Sequence, residues 1–193
     1  MKKVFSVIAV AVAVTFTTAD LQAQESFGNA GLEILLPVGD WATDAYSLGV
    51  GGSGGMEFGL SDKFAVTANV GIAFFAVDDA VSDLISSAWI APIQVGGRYY
   101  LSEQRSGLFL EAKAGVHIFG LSTEDVDLGP LGTIEGESST ETYFSVAPQV
   151  GYFLNENLSI ALRYNLFFIP EDEEFNIPSD TGGYIGLKVA YNF

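Results

Sequence analysis

"LSIALRYNLFF", residues 158–168, decides the architecture. Leu158, Ile160, Leu162, Tyr164, Leu166 and Phe168 fall on one side of a period-two pattern, with Ser159, Ala161, Arg163, Asn165 and Phe167 on the other. Successive side chains of a strand point to opposite faces, so this spacing predicts a strand. One face is apolar from end to end while the other carries an arginine and an asparagine. The same division holds from residue 108 to residue 119. There Leu108, Leu110, Ala112, Ala114, Val116 and Ile118 oppose Glu111, Lys113, Gly115, His117 and Phe119. It holds again in the closing stretch "GGYIGLKVAYNF", residues 182–193, where Ile185, Leu187, Val189, Tyr191 and Phe193 alternate up to the last residue.

Working outward from these three, the pattern recurs over 27–38, 46–60, 64–75, 88–100, 107–120, 142–154, 158–169 and 182–193. Segments of this length exceed the five or six residues usual in soluble sheets and match a tilted strand crossing a bilayer. The connections alternate as well. Residues 61–63, 101–106 and 155–157 form short turns, whereas 39–45, 76–87, 121–141 and 170–181 are longer. Short turns on one side and long loops on the other are the pattern of an outer-membrane barrel. The expected fold is all-β: an eight-stranded antiparallel transmembrane up-and-down barrel. A soluble sandwich would also alternate, but not with this asymmetry of loops.

The first residues read as a targeting segment. Lys2 and Lys3 precede an apolar run from Val4 to Phe16, and small residues follow at Ala19 and Ala23. That run falls short of the ~20 residues a spanning helix needs, so a cleaved signal peptide over 1–24 is expected, leaving a barrel domain over 25–193. The absence of cysteine excludes a disulfide framework, a thiol site and a lipid-anchored leader.

Eight Lys and Arg against 24 Asp and Glu give a net charge of −16, which excludes a nucleic-acid partner. Under the threading above, sixteen of those acids fall in the long loops, among them Asp78, Asp79, Glu124, Asp125 and Glu171 to Glu174, and no Lys or Arg accompanies them. The loops are expected to be extracellular and anionic, with both mature termini periplasmic. Aromatic residues gather near the strand ends and are expected to form two interfacial girdles. Phe58, Phe64, Tyr99, Tyr100, Phe109, Tyr152, Phe153, Tyr191 and Phe193 lie at the short-turn end. Trp41, Tyr46, Phe74, Phe75, Trp89, Phe119, Tyr143, Phe144, Phe167, Phe168 and Tyr184 lie at the other.

The inward face carries Glu33, Glu57, Arg98, Glu111, Lys113, His117, Arg163 and Lys188, with Asn69, Gln94, Gln149, Asn165 and Asn192. Three acids against four bases nearly cancel. Eight strands enclose only enough room for their own side chains, so a structural polar network filling the lumen is expected. Gly49, Gly51 and Gly54 spell the dinucleotide-binding fingerprint, but a strand follows instead of a helix and no cofactor is expected. "STEDVDLG" (122–129) and "PEDEEFNIP" (170–178) offer oxygen ligands without the spacing of a calcium loop, so no metal site is assigned. These carboxylates are instead expected to share divalent cations with lipopolysaccharide and outer-membrane lipid. A monomer is expected.

"GLEILLPVGDW" (31–41) followed by "LSDKFAVTANVGIAFF" (60–75) resembles the small outer-membrane β-barrel family of the OmpX/OmpA kind, in the form common in Bacteroidetes envelopes. The C-terminal strand ending on Tyr191 and Phe193 is similar to the signal read by the barrel assembly machinery of such bacteria. The resemblance implies location and fold. It implies activity poorly, because such families include structural anchors, adhesion or resistance factors, conduits for hydrophobic compounds and one lipid-modifying enzyme type. The favoured expectation is a non-enzymatic barrel with a structural or surface-interaction role. A conduit for small apolar molecules would use Leu35, Phe75, Phe119 and Phe167, and a lipid-modifying enzyme would use His117.

Overall fold

The computed structural model describes residues 24–39, 46–78, 85–102, 105–123, 126–127, 133–134, 136–170 and 180–193. Eight long strands, β1 (Gln24–Val38), β2 (Tyr46–Ser61), β3 (Phe64–Val77), β4 (Ile85–Tyr100), β5 (Gly107–Thr123), β8 (Ser138–Phe153), β9 (Leu158–Ile169) and β10 (Asp180–Asn192), close a barrel in the order β1-β10-β9-β8-β5-β4-β3-β2. Every neighbouring pair is antiparallel. Each of the eight segments read from the sequence overlaps one of these strands, with ends that differ by up to four residues. The two-residue strands β6 (Val126–Asp127) and β7 (Thr133–Ile134), which pair within the loop between β5 and β8, carry too little pattern to be read. Of the leader expected over 1–24, residues 1–23 lie outside the described residues, as do Trp41 and the loop acids Asp40, Asp44, Asp79, Asp83, Glu124, Asp125, Glu135 and Glu171 to Glu174.

Closure explains the strand-like C-terminus. β10 runs against β1 from Asn29↔Asn192 to Val38↔Gly183, and the ladder continues one step further. Gly28 N–H donates to the Phe193 carbonyl and Phe193 N–H to the Gly28 carbonyl, each at 2.9 Å. A barrel in lipid must leave no edge unpaired, so the final residue is held in the ladder. A side chain at position 28 would collide with the Phe193 ring, 2.4 Å from an added Cβ.

Short turns are fixed by local hydrogen bonds. The Ser61 hydroxyl accepts from Phe64 N–H at 3.1 Å, and the Asn155 carboxamide oxygen accepts from Asn157 and Leu158 N–H at 2.9 and 2.8 Å. Both are the side-chain-to-backbone turns these residue types favour. Gly107 sits at φ 65°, where glycine is free of strain.

Relative to a soluble protein the barrel is inverted. Leu32 (78% exposed), Val50, Val70, Phe74, Leu110, Leu162 and Val189 point outward, while Glu33, Glu57, Arg98, Glu111, Lys113 and Arg163 are buried. An outer surface of this kind is stable only against lipid.

The interior polar network as candidate functional site

The parity that sends leucines outward sends every interior charge into one space. Arg98, on β4, donates from Nη1 to Glu57 at 2.7 Å and from Nη2 to Glu111 at 2.9 Å. It thereby bridges β2 and β5 across the lumen. Glu111 also accepts from Thr67 Oγ1 at 2.6 Å and Gln149 Nε2 at 2.8 Å, so its buried charge is met by four side chains counting Lys113 at 3.9 Å. Tyr100 donates its hydroxyl to Glu57. On the other side of the barrel Glu33 accepts from Arg163 and from Ser53. Lys113 donates to Gln149 Oε1 and Lys188 to Asn29 Oδ1, each at 2.8 Å. Higher up, Gln94 donates to Ser145 at 3.1 Å and to Asn165 Oδ1 at 3.4 Å. Near the short turns Asn192 donates to Ser159 at 3.1 Å.

Apolar side chains stand above and below this layer. At the short-turn end Ala65, Tyr100, Phe109, Phe153 and Ala161 pack together, with the Phe109 and Phe153 rings 5.4 Å apart. At the long-loop end Leu35, Tyr46, Ala73, Phe75, Ala88, Ile90, Phe167 and Tyr184 do the same. Partly buried Phe119 and Tyr143 lean on them. Within the polar layer, a void of about 10 Å³ lies among Asn69, Arg98, Lys113, Gln149 and Lys188.

His117 sits beneath the upper apolar cluster and is fully buried. Its Nε2 meets the Tyr184 hydroxyl at 2.8 Å, its ring lies 5.9 Å from that of Phe167, and its Nδ1 has no partner among the described residues. Among the described residues the Tyr184 hydroxyl is the group hydrogen-bonded to the imidazole, and no carboxylate is bonded to it as an orienting partner.

Comparison with known proteins places this geometry. The outer membrane protein beta-barrel domain matches residues 8–193, nearly the whole chain. The chain belongs to that family. Its members are barrels of the outer membrane, and this barrel accordingly resides there. Solved structures share the fold at low identity. Ail, the attachment invasion locus protein of Yersinia pestis, is 14% identical, with a TM-score of 0.58 over 87% of this chain and 97% of that one. The N-terminal β-barrel domain of Pseudomonas aeruginosa OprF is 15% identical, with a TM-score of 0.55 over 89% and 100%. Neisserial surface protein A is 12% identical, with a TM-score of 0.52 over 86% and 95%. No curated protein matches.

In this outer membrane β-barrel, all eight charged or imidazole side chains expected inside are buried, and six of them join in two ion-paired groups. Among the described residues Lys188 and His117 have neutral hydrogen-bond partners, Asn29 and Tyr184. Sequence reading missed Ser53, Thr67, Tyr100, Ser145 and Tyr184 as members of the network. It also placed Tyr46, Tyr100, Phe109, Phe153 and Tyr184 only in the interfacial girdles, while Phe75 and Phe167 were expected there and, in the conduit reading, facing inward. Tyr46, Phe75, Tyr100, Phe109, Phe153, Phe167 and Tyr184 face inward, whereas Phe64, Phe74, Tyr99, Phe144, Tyr152, Phe168, Tyr191 and Phe193 face lipid. The signal that separates them was parity: Tyr100 lies two residues from Arg98, Phe109 two from Glu111, and Phe167 four from Arg163. Depth along a strand places a ring near an interface, but only its register with a buried charge tells inside from outside.

Proposed function

We propose that this outer-membrane barrel is non-enzymatic, that its lumen is closed by its own side chains, and that it acts through its acidic long loops as a structural or surface-interaction protein. The supporting observation is the three-tier interior: paired charges in the middle, and packed aromatic clusters at both ends. An apolar stopper at each mouth offers an ion no hydration along the axis, and six of the charges between are held in two ion-paired groups. What such a barrel can offer a partner is its outer surface.

The long loops and the strand ends that enter them carry sixteen acids and no basic residue, and the four whose side chains are described, Asp78, Glu137, Glu141 in β8 and Asp180 at the start of β10, are exposed. One solved structure of Ail holds a heparin analogue, sucrose octasulfate. Loops of this charge would repel such a polyanion, so cationic partners, or anionic ones bridged by divalent cations such as lipopolysaccharide, fit better. In this reading residues 1–24 are a cleaved leader, the loops face the exterior, both mature ends are periplasmic and the barrel is a monomer. Tyr191 and Phe193 present their rings to lipid on the last strand, where the assembly machinery would meet them.

Reconstitution in a planar bilayer tests closure. The expected record is a baseline without unitary steps, and discrete openings would overturn the closed lumen. Replacing His117 by alanine should leave lipid A composition unchanged in cells that express the protein. Loss of a lipid modification would move the function to catalysis.

A further inference from the structure

The interior charges do not balance, and the surplus is localised. Glu33, Glu57 and Glu111 face Arg98, Lys113, Arg163 and Lys188, a surplus of one positive charge before His117 is counted. Arg163 takes Glu33, and Arg98 takes both Glu57 and Glu111. Lys113 is left with Glu111 at 3.9 Å, beyond hydrogen-bond reach, and Lys188 makes no ion pair among the described residues. Each ammonium has three donors and uses one, on Gln149 and Asn29 respectively. Both lysines border the same void of about 10 Å³. Asn69 borders it too, and its Nδ2 is buried without a hydrogen-bond partner while the residue is only 9% exposed.

The composition of the wall settles what kind of ligand suits this void. It holds three cations (Arg98, Lys113 and Lys188), the amide side chains of Asn29, Asn69, Gln149 and Asn192, and not one carboxylate. A metal cation has no ligand of its own sign preference there. A water would satisfy the Asn69 amide but leave the surplus charge buried and uncompensated, which costs several kcal/mol in a medium of low dielectric. The volume is that of about one water-sized sphere; a chloride or bromide, somewhat wider than a water, enters with small shifts of the lysine side chains, and a phosphate or a carboxylic acid is too large.

We propose that the void holds one small monovalent anion of the halide class, bound by the Lys113 and Lys188 ammonium groups and the Asn69 amide, and enclosed when the barrel folds around it. The ion neutralises the interior and completes its hydrogen bonding. This proposal concerns the lumen alone and stands or falls independently of any partner at the loops.

Bromide is the probe. The protein is refolded in sodium bromide, crystallised, and measured at the bromine absorption edge. An anomalous peak in contact with Lys113 Nζ, Lys188 Nζ and Asn69 Nδ2 is expected. Lys188→Met removes the surplus charge with a side chain of similar length, and this variant should fold, lose the peak and become indifferent to halide. In the wild type, halide at about ten times its dissociation constant should raise the folded-to-unfolded ratio about tenfold over gluconate at equal ionic strength. A wild-type structure without the peak, together with equal stability in halide and gluconate, would overturn the proposal in favour of a neutral lysine or a water. A peak that persists in Lys188→Met would overturn it as well, because the ion would then be held by something else.

Discussion

Glu111→Gln is the sharpest test of a dry, ion-paired interior. The substitution keeps the shape and removes one charge from a carboxylate buried against Arg98 at 2.9 Å and Lys113 at 3.9 Å. It also places an amide donor where Gln149 Nε2, Thr67 Oγ1 and Arg98 already donate. Arg98 retains Glu57, whereas Lys113 loses the nearest acid it has. Removing one partner of a buried ion pair typically costs about 3–5 kcal/mol, chiefly because the remaining charge stays buried. Individual hydrogen bonds to a charged group are worth about 1.5–3 kcal/mol, so two or three weakened contacts lead to the same range. The assay is equilibrium urea unfolding in phospholipid vesicles, followed by the fluorescence of Trp41 and Trp89 and by the shift between compact and heat-denatured bands on SDS gels. Leu110→Ala is the control: its neighbour on the same strand faces lipid, and exchanging one apolar surface for another there should cost far less. Combining Glu111→Gln with Arg98→Met should cost less than the sum of the single changes, since the two residues are in contact. A loss below about 1 kcal/mol for Glu111→Gln would refute the reasoning, because water in the lumen would then be solvating these charges.

Three further outcomes are expected. Gly51→Ala places a methyl 2.2 Å from the Ile72 carbonyl oxygen, a backbone atom that cannot step aside, and should abolish the compact gel band; Gly52→Ala, whose nearest neighbour is 3.4 Å away, should retain it. Phe193→Ala should lower the amount of folded barrel recovered from outer membranes while leaving refolding from urea into detergent largely intact, and equal losses in both would make the ring a packing element alone. Chelation of divalent cations should increase protease cutting in the long loops of native outer-membrane fractions, whereas cutting indifferent to chelator would count against cation sharing with lipopolysaccharide.

The barrel was legible because its two faces differ in chemistry as well as in hydropathy. In β9 a single arginine and a single asparagine among alternating apolar residues set the register, and a one-residue slip would have put Arg163 in lipid. Loop lengths then supplied topology. The partners of each charge were not legible, because they come from strands distant in the chain. Glu33 meets Arg163 across 130 residues, and Gln94 meets Asn165 across 71. Alternation places a side chain inside but says nothing of its height, which depends on the register of all eight strands together. Small hydroxyl partners such as Ser53 and Thr67 were invisible for a related reason, since either type is common on both faces of a strand.

The arrangement of the interior also constrains how the protein can have a function at all. A network in which Arg98 holds two acids on two different strands ties β2, β4 and β5 into one unit, and Arg163 with Glu33 ties β1 to β9 across β10. Opening a passage would require breaking these pairs together, each at a cost of about 3–5 kcal/mol. The long loops carry acids and no basic residue, so they attract cations and repel anions. Under the function proposed above, a ligand would therefore engage the acidic loops while the ion-paired wall holds its shape.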